Sequence, residues 1–317
     1  MKRCFAILLR SHLWSRAVAK IQSCIDKSVQ AAGPTYIFLA FFLMSSVIYL
    51  FFATILPTLH NMYSLRGLLH AAIGCWLILN VFFNYFYCIF TDPGSPPADF
   101  LDSGTRWCKH CHKNKPAFTH HCHICKRCIL RMDHHCPWMH NCVGFYNYRF
   151  FFVFLFYLWI GCAYAVYMSS QLLFADDYNE QEWQLLFTFV LSFGIFGALS
   201  CLFGWHIFLV VTAQTTIDFY GNRQRKLEAK SRGKAWVNVF DLGAAHNFRN
   251  VFYSGGRHLW WTVMLLPSRA RPVGDGISFR TRYQLDVPEP SVGSSREEPE
   301  DEEQARIDFV SANGPFF

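Results

Sequence analysis

Four long stretches of the sequence contain no charged residue, and they constrain the fold more than any other feature. They cover residues 36–56, 67–90, 150–174 and 184–213. Each is at least as long as the ~20 residues that a helix needs to cross a bilayer. Because backbone groups in lipid must bond within the protein, we expect helices rather than open strands. Charged residues make up only 16% of the chain, against ~25% in soluble domains, which argues against buried helices of a soluble core. The sequence therefore predicts an α-helical multi-pass membrane protein with four transmembrane helices.

The segments between these stretches differ in positive charge, which predicts their orientation. Lys and Arg number six in residues 1–34, eight in residues 91–149 and fourteen in residues 214–317. The loop 57–66 has one, and residues 175–183 have none but hold four acidic residues. Since positively charged loops stay on the cytosolic side, we expect both termini and the 91–149 loop in the cytosol.

This layout divides the chain into six predicted regions. They are a cytosolic basic N-terminal segment at 1–34, transmembrane helices one and two at 35–90, a small cytosolic cysteine-rich domain at 91–149, helices three and four at 150–213, a cytosolic C-terminal region with juxtamembrane contacts at 214–286, and a disordered acidic tail at 287–317. The spacing of apolar residues in the first segment favours an amphipathic helix at the membrane surface. Its Arg and Ser content and its shortage of acids also resemble a mitochondrial presequence.

Seven of the thirteen cysteines lie between Cys108 and Cys142, interleaved with histidines. Cysteines separated by two residues can bind one metal ion together. A cytosolic location keeps thiols reduced, so a metal site or catalysis is expected rather than disulfides. Two tetrahedral zinc sites need eight ligands, which six cysteines and two histidines supply. One cysteine is left over, and the spacing leaves open whether it is Cys136 or Cys142. Iron–sulfur binding is an alternative, but the interspersed histidines favour zinc.

The run Asp133-His134-His135-Cys136 places a thiol next to imidazoles and a carboxylate. A neighbouring imidazole can supply the reactive thiolate at neutral pH, and a carboxylate can fix the tautomer of that imidazole. Sequence neighbours need not meet in space, so the alternative is a zinc module that only stabilises a docking or nucleic-acid surface. The net charge of +7 is explained by the positively charged loops of a membrane protein, and we expect no nucleic-acid partner.

A longer pattern surrounds this run. It reads Cys108-x2-Cys111-x3-Lys115-Pro116, then His121-Cys122-x2-Cys125-x2-Cys128-x4-Asp133-His134-His135-Cys136-Pro137-Trp138, then Asn141-Cys142-Val143-Gly144-x2-Asn147. This pattern resembles the DHHC protein S-acyltransferases, or palmitoyltransferases. Asp92-Pro93-Gly94 and the Asn-x3-Val-Phe element at 247–252 are similar to further elements of that family. The run from Gly256-Arg257-His258 to Leu266-Pro267-Ser268 resembles its Abl-philin branch of the endoplasmic reticulum.

The resemblance implies a reaction and a role for individual residues. The expected enzyme moves a long-chain fatty acyl group, palmitoyl, from acyl-CoA to cysteines of protein substrates. Cys136 would be the nucleophile and His134 the general base, with Asp133 orienting the base. One structural zinc ion would be bound by Cys108, Cys111, His121 and Cys128, and a second by Cys122, Cys125, His135 and Cys142. The coenzyme A moiety would lie near Arg106, Lys115 and Trp138.

Two positions depart from the pattern of the family. Its Lys-Pro-x-Arg element reads Lys115-Pro116-Ala117-Phe118, which removes one expected phosphate contact. Its Thr-Thr-x-Glu element reads Thr215-Thr216-Ile217-Asp218, in which the acidic side chain has a shorter reach. These departures motivate an alternative function, a zinc-ordered membrane scaffold or adaptor with little acyltransferase activity.

The resemblance also implies partners and a location. The expected partners are acyl-CoA, the lipid bilayer and protein substrates with membrane-proximal cysteines. The expected location is the endomembrane system, in the endoplasmic reticulum or the Golgi.

Overall fold

The computed structural model describes residues 2–100, 106–175, 183–252 and 260–284, and for residues 2–13, 15 and 16 the backbone alone. Within these residues, four helical segments are long and apolar enough to cross a membrane. They are Ala17–Leu59, Leu65–Phe90, Tyr148–Leu173 and Trp183–Val211. Each contains most or all of one of the four uncharged stretches, so the prediction of four membrane helices is confirmed.

The first two spans are antiparallel neighbours joined by a short turn. Helix α1 is Lys2–Leu50, and it continues through a π-helical turn at Phe51–Ile55 into α2, Leu56–Leu59. Helix α3 is Leu65–Phe90. It begins after Ser64, whose hydroxyl accepts a hydrogen bond from the Gly67 N–H at 3.1 Å and so satisfies one unpaired donor of the first turn. It ends just before Asp92-Pro93-Gly94.

The N-terminal segment is not a separate helix, because residues 2–34 belong to the same helix as the first span. Near residue 34, where the first predicted region ends, α1 contacts the cysteine-rich domain. A β-carbon on Gly33 would overlap the imidazole ring of His140. Glycine at this position therefore allows α1 to approach the domain closely.

The core of the membrane region is built around α4, Tyr148–Leu173, which packs between α3 and α5, Trp183–Val211. The consecutive residues 150–155 of α4 are all buried, as is Tyr157 at 0% exposure. The outer faces of the spans carry exposed apolar side chains, among them Phe38 and Phe193. A bundle that is apolar both inside and outside fits a lipid environment.

The cysteine-rich domain consists of three antiparallel hairpins of three-residue strands. The strands are β1 Arg106–Cys108 with β2 Lys113–Lys115, β3 His120–Cys122 with β4 Arg127–Ile129, and β5 His134–Cys136 with β6 Asn141–Val143. A 3₁₀ turn, Pro137–Met139, lies within the last hairpin. Two-stranded ribbons of this length are not stable alone, so the domain depends on other cross-links.

The C-terminal region folds back onto the spans and the cysteine-rich domain. Its helices are α6 Thr216–Ser231, α7 Ala244–Phe252 and α8 Trp260–Leu265, followed by a 3₁₀ turn at Arg282–Gln284. Helix α7 inserts Phe252, fully buried, against Phe152 of α4. The predicted acidic tail at 287–317 and the Gly256-Arg257-His258 run lie outside the described residues.

Candidate active site and metal centres

The first two hairpins bring together one predicted set of metal ligands. The ligand atoms of Cys108, Cys111, His121 and Cys128 all lie within 4.8 Å of one another. The Cys111 sulfur is 3.2 Å and the Cys108 sulfur 3.7 Å from His121 Nδ1, and the Cys128 and Cys111 sulfurs are 3.7 Å apart. Tetrahedral zinc sets its ligand atoms about 3.5–3.8 Å apart, given Zn–S bonds of ~2.3 Å and Zn–N bonds of ~2.0 Å. The set therefore has the size and chemistry of a zinc site.

The last two hairpins bring together the second set. Cys122, Cys125, His135 and Cys142 also lie within 4.8 Å of one another. His135 Nδ1 is 3.3 Å from the Cys125 sulfur, 3.6 Å from Cys142 and 3.8 Å from Cys122. His135 and Cys142 are direct partners in the β5–β6 register. The same hairpin that holds the Asp-His-His-Cys run thus supplies half of this metal centre.

Cys136 is the one cysteine of the 108–142 segment that belongs to neither set. It faces Asn141 in the β5–β6 register, next to the His135–Cys142 pair. The Asn141 amide nitrogen lies 3.0–3.1 Å from the carbonyl oxygens of Cys88, Ile89 and Thr91 at the end of α3, so its two N–H groups are shared among three acceptors. These bonds fix the hairpin, and Cys136 with it, to the end of the second span.

Asp133 and His134 form a pair with defined hydrogen bonds. His134 Nδ1 lies 2.7 Å from Asp133 Oδ2. Thr216, at the start of α6, donates its N–H to Asp133 Oδ1 at 2.8 Å and its hydroxyl to Oδ2 at 3.1 Å. Asp133 is only 1% exposed, so the carboxylate is held by protein donors and not by water. This arrangement leaves the other ring nitrogen of His134 for chemistry.

The charges of this pair stabilise each other. Burial of the Asp133 carboxyl favours its neutral form, but the hydrogen bond and the charge of His134 hold the pKa of Asp133 below its usual range. Burial also disfavours protonation of His134, yet its hydrogen bonds to Asp133 and Cys136 raise its pKa to about 9. These contacts favour the protonated form of His134, so the imidazole is suited to take up the proton of the adjacent Cys136 thiol. A cationic imidazole beside a thiol stabilises the thiolate.

His206 of α5 was not predicted from the sequence, although it belongs to this site. A ring nitrogen of His206 lies within 4.8 Å of ligand atoms of both Asp133 and His134. His206 is 1% exposed, and its Nδ1 is 3.1 Å from the hydroxyl of Tyr148. The sequence did offer a signal for His206, because it is a titratable residue inside an uncharged stretch. Polar residues in membrane spans are commonly functional.

Trp138 lies at the junction of the site with the first two spans. Its backbone carbonyl accepts a hydrogen bond from the Tyr85 hydroxyl of α3 at 2.8 Å. Its ring packs edge-on against Tyr36 of α1, with centroids 5.4 Å apart, and is 47% exposed. Trp138 thus presents an aromatic surface two residues from Cys136.

Comparison with known proteins identifies the family. The DHHC palmitoyltransferase family model matches residues 102–223. Palmitoyltransferase ZDHHC16A of Danio rerio is 33% identical over 78% of this chain and 78% of its own. The chain belongs to the DHHC palmitoyltransferase family. Probable protein S-acyltransferase 15 of Arabidopsis thaliana is 35% identical over 68% of this chain and 90% of its own, and palmitoyltransferase ZDHHC16 of Mus musculus is 34% identical over 80% and 76%.

This DHHC palmitoyltransferase is a protein S-acyltransferase: its family transfers acyl groups to proteins. The likeness to the ZDHHC16 proteins confirms the resemblance to the Abl-philin branch. It is a membrane protein with two groups of cysteine and histidine that could hold metal ions.

The two basic residues that the resemblance assigns to coenzyme A lie next to each other. Arg106 and Lys115 are direct partners in the β1–β2 register. Arg225 of α6, which the sequence did not indicate, adds a third positive charge near them. Burial, and then the charge of Arg225, lowers the pKa of Arg106, and burial and the charge of Arg106 lower that of Lys115. Burial and the same three cations lower the pKa of His120 to about 3. Such a concentration of positive charge suits a phosphate-bearing ligand.

The two departures from the DHHC pattern have structural roles here. Phe118 packs edge-on against Phe240 and Phe279, at 4.9 and 5.2 Å between centroids, and so joins the domain to the C-terminal region. Asp218 forms a reciprocal capping box with Thr215 at the start of α6, with N···O distances of 3.0 and 3.1 Å. The capping box positions Thr216, which in turn holds Asp133.

Proposed function

We propose that this enzyme transfers a long-chain fatty acyl group, palmitoyl, from acyl-CoA to cysteines of protein substrates through an acyl-enzyme on Cys136. The observation that carries the proposal is that Cys136 lies outside both metal-binding sets while contacting His134. Six of the seven cysteines in the segment can serve as ligands. The seventh is left free beside an imidazole that a carboxylate orients.

The first half-reaction acylates the enzyme. His134 takes the proton of Cys136, and the thiolate attacks the carbonyl carbon of the acyl-CoA thioester. The carbon–sulfur bond to CoA breaks, and the CoA sulfur leaves with the proton that His134 holds. Asp133 keeps the His134 Nδ1 proton in place and stabilises the imidazolium. Acyl-enzyme formation of this kind divides one transfer into two simpler steps.

The second half-reaction passes the acyl group to the substrate. A substrate cysteine gives its proton to His134 and attacks the Cys136 thioester. Cys136 leaves as a thiolate and is ready for another cycle. Because the hairpin is attached to the end of α3 through Asn141, the acyl-enzyme lies next to the membrane. Substrate cysteines near the membrane are therefore the ones that can reach it.

The two ligand sets fit two structural zinc ions. Four protein ligands in each set leave no open position for a substrate, so bound zinc would supply cross-links rather than acid catalysis. Cys108, Cys111, His121 and Cys128 would join the first and second hairpins, and the other four ligands would join the second and third. The short strands then hold the register that places Cys136.

Acyl-CoA would bind with its two ends in different surroundings. Arg106, Lys115 and Arg225 supply positive charge for the phosphates, and Trp138 lies between this domain and the spans. The acyl chain would enter the bundle, where burial contributes ~0.8 kcal/mol per methylene. The charge of the loops favours an orientation with the cysteine-rich domain and both termini in the cytosol, where acyl-CoA is available. The likeness to the Abl-philin branch favours the endoplasmic reticulum or the Golgi.

Labelling of the purified, detergent-solubilised protein with clickable palmitoyl-CoA tests the proposal. We expect hydroxylamine-sensitive label on the wild type and none on Cys136→Ser, with equal zinc content in both. Cys142→Ser is the matched control, since it removes a metal ligand and should lower the zinc content as well as the label. Label on Cys136→Ser with a normal metal content would refute the assignment of the nucleophile. A zinc-loaded wild type without label would favour the scaffold.

A further inference from the structure

A cavity of about 550 Å³ lies at the end of the spans that carries the cysteine-rich domain. Its walls come from the end of α3, the loop after it, the beginning of α4 and the segment after α8. The lining residues are Tyr87, Phe90, Thr91, Asp92, Gly94, Tyr146, Phe150, Arg269 and Arg271. None of these residues belongs to the metal sets or to the Asp133–His134–Cys136 site. The volume is within the range of ordinary ligand pockets.

The position of the cavity matches the depth of lipid headgroups. Helix α3 ends at Phe90 and α4 begins at Tyr148, so the cavity lies where two spans leave the bilayer. Residues at this boundary meet the phosphates of lipids rather than their chains. Basic pockets between spans on the cytosolic side are typical binding sites for anionic headgroups.

The two arginines are positioned by contacts with α4. The carbonyl of Ser268 accepts a hydrogen bond at 3.0 Å from Arg149, which is itself 4% exposed. The hydroxyl of Tyr157, two turns further along α4, bonds to the carbonyls of Met264 and Leu265 at 3.1 and 3.2 Å. Helix α8 therefore lies beside the membrane-spanning part of α4. The chain after α8 runs back to the membrane boundary where the cavity lies. Arg269 and Arg271 follow directly after this attachment.

The charge of the cavity is positive. Arg269 stacks over the Tyr87 ring, 5.8 Å from its centroid, and neither Arg269 nor Arg271 forms an ion pair with a described residue. The one carboxylate in the lining, Asp92, pairs with Arg127 at 2.7 Å and accepts the Gly94 N–H at 2.8 Å. Two guanidinium groups thus remain for a ligand, and guanidinium binds phosphate in a bidentate manner.

An apolar path leads from the cavity along α3, beside Phe41 of α1. Phe82, Phe86 and Phe90 are spaced four residues apart, and their rings stack with centroids 6.1 and 6.4 Å apart. Phe86 is 42% and Phe90 80% exposed. A phosphate with attached acyl chains fits this combination of a cationic cavity above an aromatic track. A soluble phosphate would make no use of the track.

We propose that this cavity binds the phosphate of an anionic phospholipid, with its acyl chains along Phe86 and Phe90. The site is separate from the proposed acyl-CoA site, and it does not depend on the role of Cys136. Through Arg149 and Tyr157 it ties α8 and the C-terminal segment to the bilayer and to α4.

Binding of a fluorescent short-chain phosphatidylserine to the full-length protein in detergent tests the site. The test variant is Arg269→Gln/Arg271→Gln. The matched control is Arg223→Gln/Lys226→Gln, which removes two exposed positive charges from α6. We expect the affinity of the test variant to be about tenfold or more weaker, because it loses both basic residues that face the headgroup. The affinity of the control should stay within about threefold of the wild type. Arg269→Lys/Arg271→Lys keeps the charge but not the bidentate geometry, so its affinity should lie between those of the wild type and the Gln variant.

Competition identifies the source of the phosphate. We expect the phosphatidylcholine analogue to bind more weakly, and neither inorganic phosphate nor CoA to displace the anionic lipid. Displacement by CoA would assign the cavity to the acyl donor, and displacement by inorganic phosphate would make it a free-anion site, so either result overturns the proposal. Equal affinity for the anionic lipid in all variants would also overturn the proposal. Palmitoyl label on Cys136 and metal content, measured on the same samples, report separately on folding and on the proposed catalytic function.

Discussion

Replacement of Thr216 by Val tests how the Asp133 carboxylate is held and whether the proposed reaction needs it. The side-chain hydroxyl donates to Asp133 Oδ2 at 3.1 Å, while the backbone N–H donates to Oδ1 at 2.8 Å. Thr216→Val has nearly the same shape and removes only the hydroxyl. The backbone bond and the His134 bond remain, so the variant isolates one of three donors to Asp133.

The magnitude follows from burial and charge. Asp133 is 1% exposed, so water cannot replace the lost donor. A hydrogen bond to a charged group is worth ~1.5–3 kcal/mol, and ~1.4 kcal/mol corresponds to a factor of ten in rate. If the carboxylate stabilises the imidazolium in the transition state, acylation of Cys136 should be about 10- to 100-fold slower.

Single-turnover labelling with palmitoyl-CoA measures this rate, with metal content and thermal stability recorded on the same protein. Two variants serve as controls. Thr216→Ser keeps the hydroxyl and should stay within about threefold of the wild type. Trp205→Phe removes the indole N–H that bonds to the Thr216 hydroxyl at 3.3 Å, and it should have little effect. A wild-type rate in a metal-loaded Thr216→Val protein would refute the reasoning, as would equal losses in Thr216→Val and Thr216→Ser.

Two further predictions concern the same site. His206→Phe removes the imidazole beside Asp133 and His134, with its 3.1 Å hydrogen bond to the Tyr148 hydroxyl, while keeping a ring of similar size. A neutral hydrogen bond is worth ~1 kcal/mol, so we expect labelling of Cys136 to be about threefold to tenfold slower at unchanged metal content. An unaltered rate would assign His206 to packing alone. The pKa of His134 is raised from 6.5 to about 9, so the stability that its protonation contributes is fully present below pH 6.5 and is lost as the pH rises through about 9. The difference in Tm between wild type and His134→Gln should therefore become smaller as the pH rises from 6.5 to about 9. A difference that stays constant with pH would contradict the raised pKa of His134.

The membrane helices were predictable from sequence because lipid allows few alternatives. A stretch without charges that is long enough to span the bilayer must be helical, and all four such stretches are. The extent of α1 was not predictable. Residues 2–34 are polar enough to suggest a separate segment, and Gly33-Pro34 is a pair that usually interrupts a helix. The helix nevertheless continues through Pro34 into the span.

The site was predictable only in part, for a physical reason. Spacing alone indicates which cysteines can share a metal ion, but it left Cys136 and Cys142 equivalent. The register of the β5–β6 hairpin separates them, since it pairs Cys142 with His135 and Cys136 with Asn141. His206 and Arg225 come from distant helices, and no local pattern can place them beside the hairpins. Phe118 illustrates the reverse case: its sequence position suggested a lost contact, while its ring packs between Phe240 and Phe279.

The β5–β6 hairpin links metal supply to reactivity. The pair that can ligate a metal, His135 and Cys142, is adjacent in the register to the thiol at Cys136. The ribbon is only three residues long on each side, so without metal the position of this thiol would rest mainly on the Asn141 bonds to the end of α3. In the proposed mechanism, metal binding by His135 and Cys142 would therefore help to hold the Cys136 thiol in its reactive position.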